Sequence, residues 1–136
     1  MLKEIVSSPH VNLMQDALNA SSLRQQVISN NIANVNTPGF KKSEVNFEDQ
    51  LQAAIDSESK GNVLARTHER HLPAQSAAVK PQINKLTNTT LRLDGNNVDI
   101  DEEMAQLAKN NIYYDAMAQS AQHYFSVLKS CIAGGK

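Results

Sequence analysis

The sequence predicts a mainly α protein in which two long terminal amphipathic helices pack antiparallel, in a coiled-coil-like manner, and are joined by a largely irregular middle segment with possible short strands. Three observations lead to this fold class. Apolar residues recur at steps of three and four near both ends of the 136-residue chain. Aromatic residues make up only 4% of it, with no Trp, so the core must rest on aliphatic side chains, which suits packed helices. Pro73 and Pro81 keep long helices out of the middle. We therefore treat residues 1–136 as one unit.

The first terminal helix is predicted over residues 10–36. Its apolar seam alternates steps of three and four, and its polar members are Ser21 and Gln25. Further apolar residues widen this face beyond a two-stranded stripe, which indicates more than one packing neighbour. The apolar members of the seam are Val11, Met14, Leu18, Ile28, Ile32 and Val35.

An asparagine-rich turn, residues 30–40, ends this helix. Pro38 disfavours the α conformation at Thr37, and Gly39 can supply the positive φ that a Pro-Gly type II turn needs at its third position. Asparagine side chains bond nearby backbone and tolerate the left-handed region, which suits a helix exit. Two interpretations stay open: a purely structural cap, and a turn that also contacts a partner.

The second terminal helix is predicted over residues 99–133. A turn at residues 94–97 precedes Asp99 as N-cap, and three acidic residues in the first turn complement the helix dipole. Asn111 is the one polar residue in the seam; it either lies buried and sets register, or faces solvent. The helix seam that we expect consists of Ile28, Ile32, Met104, Leu107, Asn111, Tyr114, Ala118, Ala121, Phe125 and Leu128.

The middle segment, residues 37–98, is predicted to be a turn followed by mostly irregular chain. Helical spacing predicts a short helix near residues 47–56, and the polar stretch that follows indicates a loop. Residues 63–67 and 89–93 have the composition of short strands, which could pair or lie alone.

The asparagine turn carries a resemblance to a known family. Asn-Asn-Ile-Ala-Asn at 30–34, followed by Asn-Thr-Pro-Gly-Phe at 36–40, resembles the signature of bacterial flagellar rod and hook proteins, whose usual last residue is Tyr. Among rod subunits, residues 71–75 and 93–99 are most similar to one proximal rod subunit. By this resemblance the family motif and assembly turn comprise Asn31, Asn34, Asn36, Thr37, Pro38, Gly39 and Phe40.

The resemblance implies a structural subunit of the proximal rod of the flagellar basal body, part of a hollow torque-transmitting drive shaft. It also implies self-association and contacts with other rod subunits, with the adaptor between export gate and rod, and with the flagellar export apparatus. The expected location is the periplasmic rod, reached without a cleaved signal peptide. The polar interruptions among residues 2–7 agree with that expectation, because a cleavable signal has a continuous apolar region.

Composition argues against other functions. A net charge of −1 gives no global attraction to nucleic acid or anionic membrane, and no apolar run is long enough for a membrane span. His68, Glu69 and His71 fall one residue short of a zinc-hydrolase spacing, and Cys131 has no suitable histidine partner. We expect no catalytic residue, cofactor or metal. The alternatives are a soluble helical adaptor or export chaperone that binds a partner helix, and a nucleic-acid binder that uses basic residues 60–92.

Overall fold

The computed structural model describes residues 8–59 and 81–134. Five elements follow one another in these ranges: helix α1 (Pro9–Ala33), strand β1 (Ser43–Asn46), helix α2 (Glu48–Ser59), strand β2 (Gln82–Lys85) and helix α3 (Ile100–Ile132). The two long helices pack on each other, and the strands form a small antiparallel sheet. The predicted fold class is therefore confirmed. The expected strand at residues 63–67 lies outside the described residues.

Helix α1 begins and ends where its local chemistry dictates. The hydroxyl of Ser8 accepts a hydrogen bond from Val11 N, and Pro9 suits the first helical position, where no N–H partner exists. The helix ends at Ala33, three residues before the predicted boundary. At this end the backbone N–H of Asn34 donates to the carbonyls of both Asn30 and Asn31. This shared bond tightens the last turn and stops propagation.

Helix α3 begins at the predicted position. The Asp99 side chain accepts from Asp101 N at 3.0 Å, and acidic residues occupy the first turn. The helix ends at Ile132, and Gly134 at φ 81° turns the chain away.

The two terminal helices run antiparallel, as their cross-contacts show. Ser21 near the middle of α1 contacts Asn110, while Asn31 near its end contacts Glu103 at the start of α3. The Ser21 hydroxyl donates to Asn110 Oδ1 at 3.1 Å, and Asn110 Nδ2 donates to Ser21 O at 3.0 Å. This reciprocal buried pair fixes the register of the helices.

The polar residue of α3 that lies between the two long helices is Asn110 and not Asn111. Asn110 is buried and Asn111 is exposed, so the solvent-facing alternative for Asn111 holds within this chain. The reason is that α3 is apolar over two adjoining faces, of which α1 covers only one. Of the expected seam, Ile28 is buried, Ile32, Leu107, Ala118, Ala121 and Leu128 are half-buried, and Met104, Asn111, Tyr114 and Phe125 are exposed.

The middle segment folds onto α1 through a small core. Ala20, Val45 and Phe47 are its buried centre, and half-buried side chains that include Tyr113 pack around them. Strand β1 pairs with β2 in the register Ser43↔Lys85 to Asn46↔Gln82. Helix α2 begins one residue after the start of the predicted short helix and continues to Ser59, so the loop expected directly after residue 56 is helical at its start.

The strand expected at residues 89–93 is instead a turn, because Leu91 N and Arg92 N both donate to Asn96 O and curl the chain.

The asparagine turn as candidate functional site

Two glycine turns lie back to back at the end of the molecule where α1 stops and α3 starts. Gly39 has φ 70°, as predicted, and its N–H donates to the carbonyl of Asp94 at 2.9 Å. Gly95 has φ 84°, and a Cβ placed on it would lie 3.6 Å from Gly39 Cα. The left-handed region favours glycine at both positions, and their close approach lets the turns dock.

Asn96 joins these turns through its side chain. It is completely buried, and its Nδ2 donates to the carbonyls of Asn34, Val35 and Thr37 at 3.1, 3.0 and 2.9 Å. Its Oδ1 accepts from Val98 N at 2.7 Å. A single amide thereby ties the whole asparagine turn to the segment that leads into α3. Sequence reasoning had assigned Asn96 only to a turn.

Asn97 makes a second connection of the same kind. Its Oδ1 accepts from Lys42 N at 2.6 Å, and its Nδ2 donates to Leu86 O and Thr89 Oγ1. The buried amide therefore holds the chain entering β1 against the chain leaving β2.

Asn31, a residue of the predicted motif, pairs through its side-chain amide with both backbone groups of Ser43, as the backbone of a neighbouring strand would. Its Oδ1 accepts from Ser43 N at 3.0 Å and its Nδ2 donates to Ser43 O at 2.8 Å. The same Nδ2 lies 3.0 Å from Glu103 Oε2. Asn31 thus connects α1, β1 and α3 at one buried point.

Glu103 is a carboxyl group held in this junction with only 3% of its surface exposed. Burial raises its pKa, and this outweighs the Asn31 hydrogen bond and the nearby Lys42, both of which lower it. Lys42 contacts Glu102 at 3.0 Å and Glu44 at 3.4 Å. Burial lowers the pKa of Lys42, but those two carboxylates outweigh it and the net shift is upward.

Arg24 joins α1 to β1 and to the start of α2. The sequence analysis did not single out this residue. Its Nε and Nη2 donate to Val45 O at 3.2 and 2.8 Å, and its guanidinium carbon lies 4.5 Å from the centre of the Phe47 ring. Its Nη2 also lies 2.6 Å from Glu48 Oε1. Burial raises the pKa of Glu48, but hydrogen bonds from Arg24 and the backbone outweigh it and lower the net value.

The other motif residues divide between the interior and the surface. Asn34 Nδ2 caps Asn30 O at 2.8 Å, and Asn36 Oδ1 accepts from Arg92 Nη1 at 3.4 Å. Phe40 is half-buried, while residues 36–39 are exposed. The turn is therefore both a structural junction and a surface feature.

The described residues contain no candidate metal site. Within residues 8–59 and 81–134, no group of three or more His, Cys, Asp or Glu could hold a metal ion. The near-miss histidines 68 and 71 lie outside those ranges. All buried polar side-chain atoms that the structure describes have hydrogen-bond partners.

Comparisons with known proteins identify the family. A family model described as "Flagella basal body rod protein" matches residues 13–41, which run from α1 through the asparagine turn. FlgB of Bacillus subtilis (strain 168) is 36% identical over 123 residues, covering 90% of this chain and 92% of that protein. This chain belongs to the FlgB family of flagellar basal body rod proteins. FlgB of Borrelia hermsii is 41% identical over 120 residues, covering 85% and 89% of the two chains. FlgB of Salmonella typhimurium is 34% identical over 109 residues, covering 76% and 78%.

FlgB-family membership confirms the resemblance read from the turn. The chain is a structural rod protein of the flagellar basal body and not an enzyme. Nothing in the comparisons favours an adaptor or chaperone. Among the described residues, no helix is long and apolar enough to cross a membrane.

Proposed function

We propose that this chain is a subunit of the proximal rod and that it forms part of the wall of a hollow, torque-transmitting shaft. The observation that carries this proposal is an apolar stripe on α3 that α1 leaves uncovered, which we call the outer stripe. Its members, Ile100, Met104, Tyr114, Phe125 and Ile132, are between 40% and 69% exposed.

The outer stripe has the geometry of a helix-packing surface. At roughly 100° per residue its members fall on one side of α3, next to the face that packs on α1. Helix α3 has 33 residues and α1 has 25, so α3 is longer by about 12 Å at 1.5 Å per residue. His10 near the start of α1 lies beside Tyr124, and α3 continues from there to Ile132. A large exposed apolar patch on a small protein marks an interaction surface.

The partners that this surface fits are other long-helix subunits. Family membership supports assembly with rod and basal-body components in general. We propose more specifically that neighbouring rod subunits and further copies of this chain cover the outer stripe. The adaptor between export gate and rod is the proposed neighbour at the base, and the flagellar export apparatus is the proposed route to the rod.

A charge placed in the outer stripe tests this function. Cells that lack the native gene would carry Met104→Lys, or as matched control Ala105→Lys, a neighbouring exposed position outside the stripe. We expect both chains to fold, because both sites are exposed. Met104→Lys should abolish rod assembly and swimming, while Ala105→Lys cells should swim. Absence of the native chain from purified basal bodies would overturn the proposed function.

A further inference from the structure

The peptide bond between Asp94 and Gly95 lies in the second of the two docked turns. Gly95 is the only glycine of the sequence that follows an Asp or Asn residue. Because glycine has no side chain, the carboxyl group of the preceding residue meets little steric hindrance on its way to the backbone nitrogen. Asp94 is exposed, so water reaches its carboxyl group. Of all the bonds in the chain, this one is therefore the most open to rearrangement of aspartate to isoaspartate.

The rearrangement needs no reagent other than water. The backbone nitrogen of Gly95 attacks the side-chain carboxyl carbon of Asp94 and forms a C–N bond, while the carboxyl hydroxyl and the proton of the nitrogen leave as water. A second water molecule then opens the cyclic imide at either carbonyl. Opening at the main-chain carbonyl leaves the chain running through the Asp94 side chain. The backbone is then longer by one methylene, and the former main-chain carbonyl has become a carboxylate.

Both reacting groups are held by hydrogen bonds in the folded chain. Gly95 N donates to Arg92 O at 3.1 Å. Asp94 Oδ1 accepts from Asn96 N at 3.1 Å. The other end of the same peptide unit is also held, because the carbonyl of Asp94 accepts from Gly39 N at 2.9 Å. Ring closure requires the nitrogen to lose its proton and the carboxyl group to turn onto it, so the first two of these hydrogen bonds must break before the reaction.

We propose that Asp94 is a site of isoaspartate formation that the closed junction protects and the unfolded chain exposes. A reaction that passes through a transiently opened state is slowed in proportion to the fraction of time for which the structure is open. Asn96 controls that fraction, because its side-chain amide ties residues 34–37 to this loop. The proposal goes beyond the rod function and does not depend on it.

Isoaspartate at position 94 would keep the junction from closing again. The hydrogen bonds to Gly39 and Arg92 use the two ends of one peptide unit, and the added methylene changes the distance between the groups that make them. The two turns are already in van der Waals contact, since a Cβ on Gly95 would lie 3.6 Å from Gly39 Cα. A longer backbone must therefore move one turn away from the other. We expect a chain that is modified while unfolded to fold without this contact.

Ageing of the full chain, folded and unfolded, tests the protection. Purified chain is kept for several weeks in buffer and, in parallel, in guanidinium chloride that unfolds it, at the same temperature and pH. Isoaspartate is labelled with the methyltransferase that recognises it and is assigned to a residue by peptide mapping. We expect at least about tenfold more isoaspartate at position 94 in the unfolded sample, because a closed junction opens only rarely. Asp115, which precedes Ala116, is the internal control and should form little in either sample.

Variants separate the effect of the junction from the reactivity of the bond. In buffer, Asn96→Ala should raise isoaspartate at position 94 several-fold, whereas Asn88→Ala, at an exposed position of the same loop, should leave it unchanged. In guanidinium chloride both variants should match the native chain. Isomerised chain that is purified and refolded should unfold at a lower denaturant concentration than unmodified chain.

Each measurement can overturn one part of the proposal. Equal isoaspartate in buffer and in guanidinium chloride, or an unchanged amount in Asn96→Ala, would overturn the protection by the junction. No isoaspartate at position 94 in the unfolded chain would overturn the site. Equal unfolding midpoints of isomerised and unmodified chain would overturn the effect on closure. All of these outcomes leave the rod function standing.

Discussion

Replacing Asn96 with alanine should weaken the junction between the asparagine turn and α3 more than any other single amide removal there. The substitution removes four hydrogen bonds from a completely buried side chain. It introduces no charge and adds no bulk. The expected loss can therefore be worked from the partners that remain.

Most of the expected loss of stability comes from one group, the N–H of Val98, which is left without its hydrogen-bond acceptor. Each of the three carbonyls that Asn96 Nδ2 serves accepts a second hydrogen bond, whereas Asn96 Oδ1 is the acceptor for Val98 N at 2.7 Å. Leaving a buried donor without a partner costs about 1–3 kcal/mol, and weakening three doubly bonded carbonyls adds about 1 kcal/mol. We expect Asn96→Ala to lower the free energy of unfolding by about 2–4 kcal/mol. The second donors to the carbonyls are Thr37 N, Arg92 Nη1 and Phe40 N.

The assay is urea unfolding of the full chain followed by circular dichroism, with all variants at one protein concentration. Asn88→Ala, at an exposed position, should change the free energy of unfolding by no more than about 0.5 kcal/mol. Asn96→Asp keeps the acceptor for Val98 but turns a carboxylate oxygen toward three carbonyls. It should therefore cost at least as much as Asn96→Ala at pH 7, and less at acid pH. A loss below about 1 kcal/mol for Asn96→Ala, or a milder effect of Asn96→Asp at pH 7, would refute this reasoning.

Three further predictions test other parts of the structure. Gly39→Val should destabilise the turn by about 1–2 kcal/mol through its positive φ alone, since no atom lies within 4 Å of the added Cβ. Cells should still make and secrete this variant but fail to assemble it into rods and be non-motile, whereas normal rod assembly and swimming would make the turn a passive helix stop. Asn110→Ala should lower the free energy of unfolding by about 1–3 kcal/mol, while the exposed Asn111→Ala should change it by under about 0.5 kcal/mol; equal losses would contradict the observed register. Because the folded-state pKa of Glu103 is raised, its contribution to stability is complete below the ordinary value of 4.5 and is lost as pH rises through the folded pKa. Stability of the native chain relative to Glu103→Gln should therefore fall with pH across that window, and parallel pH profiles would show that the carboxyl is solvated.

Sequence alone predicted the parts of this fold that local chemistry decides. Asp99 as N-cap, the positive φ of Gly39 and the two terminal helices each depend on residues within a few positions of one another. The antiparallel arrangement also followed, because one chain with a helix at each end must return along its own seam.

What the sequence did not reveal depends on partners far away in the chain. Asn96 stands in a stretch whose composition is typical of a turn. Only its contacts with residues 34–37 show that it is buried and that it joins this turn to the asparagine turn. Asn110 and Asn111 are adjacent, and apolar periodicity identifies α3 as a helix without showing which of its two apolar faces meets α1. Strand β2 is four exposed residues long, so its pairing with β1 defines it rather than its own composition.

The long reach of the Asn96 contacts makes this junction depend on two distant parts of the chain at once. Asn96 bonds to backbone groups 59 to 62 residues away, so its connection closes only after both segments are present and both are folded. The loop that presents Leu91 and Leu93 is anchored to that connection. A chain that is incomplete or still unfolded therefore cannot hold the asparagine turn, this loop and the start of α3 together in one fixed arrangement.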